Sequence, residues 1–89
     1  MTTQVLLIDD HELIRQGLAR AFERDAEMTV VGQVGSVAEG VAAFRDLAPD
    51  VVVTDLELPD GHGLEVVRRV RATNDTNRTN PLRSCWNGA

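Results

Sequence analysis

Residues 4–10 read QVLLIDD, an apolar run that ends in two adjacent acids, Asp9 and Asp10. Residues 50–55 read DVVVTD and repeat this arrangement, with Asp55 at the end of the run. Continuous apolar runs of this length are typical of strands that are covered on both faces of a parallel sheet. Because parallel strands end at one edge of their sheet, where open α/β folds bind ligands, we expect the three carboxylates to lie together.

The three carboxylates predict a site for a hard cation, since Mg²⁺ prefers oxygen ligands. Taken singly, each carboxylate is explained equally well as a solvated strand end. Taken together, at two neighbouring strand ends, they favour a Mg²⁺ site and phosphate chemistry. Phosphoryl transfer depends mostly on alignment and charge neutralisation, and a metal ion beside a carboxylate supplies both.

Strand-like and helix-like periods alternate along residues 4–71. Strands are predicted at residues 4–9, 28–34 and 50–55, and helices at residues 12–24, 36–48 and 64–71. Alternating elements of this length predict an α/β fold with a doubly wound parallel sheet and right-handed crossovers. We expect one domain at residues 1–72 and a polar, disordered tail at residues 73–89, because the tail has no apolar period.

The apolar spacing also predicts which helix faces are buried. The first helix has a stripe of Ile14, Leu18, Ala21 and Phe22, and the second has a stripe of Val37, Val41, Phe44 and Ala48. The third helix is expected to bury Leu64, Val67 and Val70 or a neighbouring stripe. The second helix begins with a capping-box pattern, Ser36 and Glu39, and Pro49 ends it.

Composition excludes several classes of function. The chain of 89 residues has a net charge of −5 and no Lys, which argues against binding to a DNA or RNA backbone. Its N-terminus is polar and its apolar runs are short, so neither a signal peptide nor a membrane span is predicted. Cys85 is the single cysteine, which fits a reducing compartment, and we expect a cytoplasmic protein.

Two longer stretches carry a family signature: VLLIDDHELIRQGL at residues 5–18 and PDVVVTDLELPDGHGLEVVRRVR at residues 49–71. An acidic pair follows the first strand, an Asp follows the third, and a Pro-Asp-Gly-x-Gly loop comes next. In these features the chain resembles the receiver domain of two-component response regulators, most closely those that precede LuxR-type DNA-binding domains. The resemblance covers residues 4–72 and implies a three-layer, flavodoxin-like receiver fold, here incomplete with three βα units.

This resemblance implies a role for each acidic residue. Asp55 matches the phosphoacceptor, which takes a phosphoryl group from the phosphohistidine of a sensor histidine kinase in a Mg²⁺-dependent reaction. Asp10, Asp55 and the backbone carbonyl of Glu57 match the metal ligands, and Asp9 matches the residue that holds a metal-bound water. The resemblance implies a phosphorelay signalling module and not an enzyme.

A complete receiver has five βα units, with a Ser or Thr after the fourth strand and a Lys after the fifth. The matched residues stop before these positions, so two functional classes stay open. The chain is either a phosphoacceptor with slow transfer, or a non-catalytic interaction module that docks a kinase or pairs with another receiver. Without a fourth strand, residues 50–55 are expected to form an apolar sheet edge and to promote self-association.

The two histidines lie near the predicted site. We expect His11 to be a solvent-facing residue at the start of the first helix, and His62 to lie in the loop after Asp55. Neither has a Cys or His partner at the spacing of a zinc site.

Overall fold

The chain forms a parallel sheet between two layers of helices, as seen in a computed structural model that describes residues 2–73 and 84–87. The predicted α/β fold with a parallel sheet is confirmed. Its elements in chain order are β1 (Thr3–Ile8), α1 (Glu12–Glu23), β2 (Met28–Val34), α2 (Val37–Leu47), β3 (Val51–Thr54), β4 (Glu57–Leu58), β5 (Gly61–His62), α3 (Leu64–Thr73) and β6 (Ser84–Asn87). The four-stranded sheet has the order β2-β1-β3-β6, and all of its pairs are parallel.

Alternation along the central strand, β1, divides the core between the two faces of the sheet, because successive side chains point to opposite faces. Leu6 and Ile8 are buried under α2 and α3. Val5 and Leu7 point to the other face, where they pack beneath α1. The larger cluster, on the α2 and α3 side, consists of Leu6, Ile8, Val37, Val41, Phe44, Val52, Leu58, Val66 and Val70.

The buried face of α1 differs from the predicted stripe. Ile14 is 55% exposed and Ala21 is exposed, whereas Ala19 is buried and Phe22 is half-buried. The helix is rotated towards Arg15, whose Nη1 donates to the backbone carbonyl of Asp9 at 2.9 Å. Half of the predicted stripe is nevertheless correct, because Leu18 and Phe22 both pack against the core.

A similar shift of face occurs in α3. Val66 and Val70 are both 1% exposed, whereas Leu64, placed in the buried stripe by its spacing, is 40% exposed. Val67 is half-buried. The apolar residues of this short helix fit two neighbouring stripes, and Val66 is selected because it packs in the same cluster as Ile8 and Val37.

The ends of α2 follow local rules. The hydroxyl of Ser36 accepts from the amide of Glu39 at 3.1 Å, and the Glu39 carboxylate accepts from the amide of Gly35 at 3.1 Å. The first bond satisfies an amide that the helix cannot pair internally, as the capping pattern predicts. In the second, Glu39 reaches the residue before the N-cap and not the N-cap amide itself. The helix ends at Ala48, which adopts a left-handed conformation with φ 46°, and Pro49 follows.

The expectation that residues 50–55 form a sheet edge is wrong. β6 pairs with β3 in a parallel register that runs from Val51 with Ser84 to Thr54 with Asn87. The backbone groups on that side of β3 therefore have partners, and an open β3 edge gives no reason for self-association. Most of the predicted tail, residues 74–83 and 88–89, lies outside the described residues, but Thr73 still belongs to α3.

A short antiparallel hairpin, β4 and β5, occupies the segment that was predicted to be a loop. The carboxylate of its turn residue, Asp60, accepts from the amides of Val37 at 2.7 Å and Ala38 at 3.0 Å. These amides open α2 and have no partner within the helix, and the positive end of the helix dipole favours a carboxylate there. The two hydrogen bonds lower the pKa of Asp60 below its ordinary value. Asp60 therefore ties the hairpin to α2.

None of the helices in the described residues is long and apolar enough to cross a membrane.

We predict that Asp60→Asn lowers the stability of the fold at neutral pH and makes the protein less sensitive to acid. Because the pKa of Asp60 is lowered in the folded state, its contribution is present above the ordinary value of 3.8 and is lost as the pH falls through the folded value. Urea unfolding at neutral pH and again at about pH 3 should show a difference between the two proteins that narrows in acid.

Asp46→Asn is the matched control, since Asp46 is an exposed carboxylate on the same helix. It should change the unfolding free energy little at either pH. An Asp60→Asn effect that is equally large in acid, or no larger than that of Asp46→Asn, would contradict the proposed link between the hairpin and α2.

Candidate functional site

Parallel pairing brings the three predicted carboxylates together at one edge of the sheet. The amide of Asp9 donates to the carbonyl of Val34 at 2.9 Å, and the amide of Asp55 donates to the carbonyl of Ile8 at 2.9 Å. These bonds extend the strand pairing by one residue, so that the acids stand side by side. Asp9, Asp10, His11 and Asp55 each offer one ligand atom, and these four atoms all lie within 4.8 Å of one another.

Asp55 is held from both its backbone and its side chain. Its carbonyl accepts from the hydroxyl of Thr54 at 3.0 Å, and Thr54 is fully buried. Its Oδ1 lies 3.4 Å from the amide of Glu57, which donates to it. The side chain is 13% exposed, so the carboxylate is oriented by the protein and still reaches solvent.

Asp9 is the most buried member of the group, with 8% of its surface exposed. Its Oδ1 accepts from the amide of His11 at 2.8 Å, which fixes the carboxylate at the start of α1. Asp10 is different, because its side chain is 34% exposed and is free to meet a ligand from solvent. The acidic pair therefore combines a fixed carboxylate with an accessible one.

His11 is 61% exposed in its side chain, as expected for a residue at a helix start, but its ring nitrogen lies among the carboxylates. Nδ1 is 3.0 Å from Asp9 Oδ1, 3.2 Å from Asp10 Oδ1 and 3.6 Å from Asp55 Oδ2. The hydrogen bond to Asp9 and the negative charge of Asp10 raise the pKa of His11 above its ordinary value. When it is protonated, the imidazole offsets part of the negative charge of the group.

A cleft of about 380 Å³ opens over the acidic group and makes it accessible. Glu57 lines the cleft together with Asp10 and Asp55, as its predicted role at the metal site requires. Its side chain does not belong to the group formed by Asp9, Asp10, His11 and Asp55. The role of the Glu57 carbonyl as a metal ligand stays a prediction. The cleft is lined by Asp10, His11, Asp55, Leu56, Glu57, Leu58 and Pro59.

Gly63 packs directly behind Asp55. A Cβ atom at this position would collide with the backbone carbonyl oxygen of Asp55 and would lie 2.9 Å from Thr54 Oγ1. The Gly63 amide also donates to the carbonyl of Leu56 at 2.7 Å. The segment after β3 can therefore fold back on the acidic residue only because position 63 has no side chain.

The donor set fits a hard divalent cation. Carboxylate oxygens are the ligands that Mg²⁺ takes in proteins, and Mg²⁺ keeps several waters, so a site open to a cleft suits it. Asp9, Asp10 and Asp55 supply these oxygens. The nitrogen of His11 adds a donor that Mg²⁺ does not require.

Three contributions to the site were not predicted from the sequence: the ring of His11, the guanidinium of Arg15 behind Asp9, and the hydroxyl of Thr54. His11 had one detectable signal, since it follows the acidic pair directly. Arg15 had none, because it acts on a backbone carbonyl six residues before it. Thr54 had none either, because its hydroxyl bonds to the carbonyl of the next residue, a contact that the residue types alone do not specify.

Comparison with known proteins matches the part of the chain that contains the acidic group. The family described as "Response regulator receiver domain" matches residues 5–80. The DNA-binding transcriptional activator DevR/DosR of Mycobacterium tuberculosis is 49% identical over 65 residues, which are 73% of this chain and 30% of that protein. The transcriptional regulatory protein LiaR of Bacillus subtilis is 39% identical over 67 residues, 75% of this chain and 32% of that protein. The chain spans about a third of the length of these curated relatives.

Solved structures agree with the sequence relatives. A two-component response regulator of the LuxR family from Aurantimonas sp. SI85-9A1 superposes with a TM-score of 0.82 at 30% identity, covering 100% of this chain and 61% of that one. The signal receiver domain of the response regulator NarL from Mycobacterium tuberculosis superposes with a TM-score of 0.81 at 25% identity, covering 99% of this chain and 68% of that one.

We predict that Gly63→Ala distorts the acidic site as well as the fold. The new methyl group must displace the Asp55 backbone, and overpacking of this kind costs about 1–3 kcal/mol. Urea unfolding should show this loss, and amide NMR shifts should change at Asp55 and along residues 56–62.

Gly17→Ala is the matched control, because a Cβ atom at this position in α1 meets nothing within 4 Å. This variant should be more stable than the parent by about 1 kcal/mol, since Gly is a poor helix former. If Gly63→Ala is as stable as the parent and leaves the Asp55 shifts unchanged, the contact between Gly63 and Asp55 does not constrain the site.

Proposed function

Since the chain belongs to the receiver domain family of two-component response regulators, we propose that Asp55 accepts a phosphoryl group from the phosphohistidine of a sensor histidine kinase in a Mg²⁺-dependent reaction. The family match at residues 5–80 contains every residue of the acidic group. The chain acts in this proposal as a signalling module that is itself modified.

The observation that carries the proposal is the position of the Asp55 carboxylate. It stands at the end of β3, lines the open cleft and lies within 4.8 Å of ligand atoms from Asp9 and Asp10. Asp9 has a side chain about as exposed as that of Asp55, 12% against 13%, but it does not line the cleft and is tied to the amide of His11. Asp10 precedes the N-cap of α1 and is more exposed than Asp55. Asp55 thus combines access with a carboxylate that the backbone orients.

The residues around Asp55 prepare it for attack. A carboxylate oxygen of Asp55 forms a bond to phosphorus while the bond from phosphorus to the donor imidazole nitrogen breaks, and that nitrogen keeps the electron pair. The Glu57 amide, which donates to Oδ1, and the Thr54 hydroxyl, which donates to the carbonyl of Asp55, hold the nucleophile in one orientation. Such positioning is the main contribution that a protein makes to phosphoryl transfer.

Asp9, Asp10, Asp55 and the carbonyl of Glu57 are the groups that would hold Mg²⁺, which when bound supplies charge neutralisation for the phosphoryl oxygens. The described residues fit this role through their oxygen donors and their exposure to the cleft. The chain contains no Lys, and in the described residues the ion-pair partner of Asp55 is His11. We therefore expect slow transfer, since loss of one charge-stabilising donor costs roughly 10²–10³ in rate in comparable sites.

We predict that Asp55→Asn abolishes phosphorylation. The purified chain is incubated with Mg²⁺ and a small-molecule phosphodonor, and its intact mass is measured over time. The parent should gain one phosphoryl group that hydroxylamine removes, as expected for an acyl phosphate, and Asp55→Asn should gain none because the amide is not a nucleophile.

Asp25→Asn is the control, since Asp25 is an exposed acid outside the acidic group. It should be labelled as the parent is. Labelling of Asp55→Asn at the parental rate would show that another residue is the acceptor. A folded parent that is never labelled would instead favour the second functional class, a module that docks a kinase or pairs with another receiver.

Binding of Mg²⁺ should be weak and should depend on Asp10. Asp10→Asn removes the more accessible carboxylate of the acidic pair, so the affinity measured by calorimetry should fall, by roughly tenfold or more, as is common when metal-site residues are replaced. Circular dichroism shows whether the variant is folded. Equal Mg²⁺ affinity in the parent and in Asp10→Asn would remove Asp10 from the site.

A further inference from the structure

His11 is placed as a fourth donor of the acidic group. Its Nδ1 approaches oxygens of all three carboxylates, at 3.0 Å for Asp9, 3.2 Å for Asp10 and 3.6 Å for Asp55. The contact with Asp9 is a hydrogen bond. The same nitrogen also lies within 4.8 Å of ligand oxygens from Asp10 and Asp55, so a metal ion that displaces its proton would meet all four groups.

The three distances are close to those between ligands of one metal ion. With bonds of roughly 2.0–2.2 Å, neighbouring ligands lie about 3.0 Å apart in an octahedral arrangement and about 3.4 Å apart in a tetrahedral one. The separations from Nδ1 span 3.0–3.6 Å. No large movement of the chain is needed for Nδ1 and the carboxylates to meet one ion.

The backbone, and not the ring, places His11 at the start of α1. Its amide donates to Asp9 Oδ1 at 2.8 Å, and the residue is extended, with φ −90° and ψ 100°. As the N-cap residue it makes no side-chain capping hydrogen bond. The imidazole therefore has no role in starting the helix, and its exposure leaves it free to turn towards an ion.

Resting on the proposed function, in which the carboxylates hold a cation, we infer that His11 supplies a nitrogen ligand that makes this site prefer a first-row transition-metal dication to Mg²⁺. Mg²⁺ is a hard ion that takes oxygen ligands and keeps its waters. Imidazole suits softer ions, and affinity for a mixed nitrogen and oxygen site rises from Mn²⁺ through Co²⁺ to Cu²⁺. The chemistry of the donor set, three oxygens and one nitrogen, favours the softer ion.

The test compares Co²⁺ and Mg²⁺ in the parent and in His11→Asn. The amide oxygen of Asn occupies nearly the place of Nδ1, so the variant keeps a donor of similar position and exchanges nitrogen for oxygen. Calorimetry with each ion gives two affinities for each protein. Co²⁺ affinity should fall roughly tenfold or more in His11→Asn, by analogy with losses at other metal sites, while Mg²⁺ affinity should change little.

A spectroscopic readout reports the nitrogen ligand directly. The visible absorption of bound Co²⁺ depends on its donor atoms, so the spectrum of the parent should differ from that of His11→Asn. His62→Asn is the matched control, since it removes the only other imidazole of the chain. His62 Nδ1 accepts from the amide of Leu64 at 3.2 Å, a bond that Asn can also accept, and Co²⁺ binding should be unchanged in this variant.

The outcomes separate this inference from the proposed function. If the parent is phosphorylated with Mg²⁺ but His11→Asn binds Co²⁺ as tightly as the parent and with the same spectrum, the inference is wrong and the proposed function stands. If His11→Asn loses Co²⁺ while a folded parent is never phosphorylated, His11 is a metal ligand in a site that is not a phosphoacceptor. Loss of Co²⁺ binding in His62→Asn alone would also overturn the inference.

Discussion

The hydrogen bond from the Asp55 amide to the Ile8 carbonyl, 2.9 Å long, brings the acidic end of β3 against the acidic end of β1. Three carboxylates then meet in a small volume, and like charges at a few ångströms repel strongly wherever solvent is partly excluded. Burial of the residues just before them makes this arrangement unavoidable, because Leu6, Ile8 and Val52 keep the strands paired in one register. Packing of the core thus forces the three carboxylates to lie close together.

The structure answers this repulsion with donors that local geometry supplies. Amides at positions 11 and 57 donate to Asp9 and Asp55, the His11 ring faces the group, and Arg15 lies behind the Asp9 backbone. The segment that carries the position 57 amide is in turn held by Asp60, through two amides of α2, and by the close packing of Gly63. The turn residue Asp60 and the glycine Gly63 therefore help to orient Asp55, although neither belongs to the acidic group.

Sequence reasoning reached the parts of this structure that depend on periodicity and on strand ends. The three strands, the capping of α2 and the convergence of Asp9, Asp10 and Asp55 all follow from local patterns, and the structure confirms them. The face of α1 was half right, since Leu18 and Phe22 pack against the core but Ile14 and Ala21 are exposed, and α3 buries a neighbouring stripe that its sequence left open. An apolar stripe defines a helix face only to within a neighbouring residue. β6 was missed because residues 84–87, Ser-Cys-Trp-Asn, do not form a continuous apolar run like that of β3, which has the same length.

Charge balance sets a requirement that the acidic group alone does not meet. In the proposed reaction, three carboxylates with one bound dication would keep a net negative charge, and a phosphoryl group arriving at Asp55 would bring more. In an accessible cleft this repulsion is reduced by solvent but not removed. The chain has no Lys to supply positive charge. In the described residues, Asp55 forms an ion pair with His11. In the proposed transfer, the described residues offer a metal site and the His11 imidazole near Asp55. A donor protein that brings further positive charge would then contribute to the chemistry as well as to recognition.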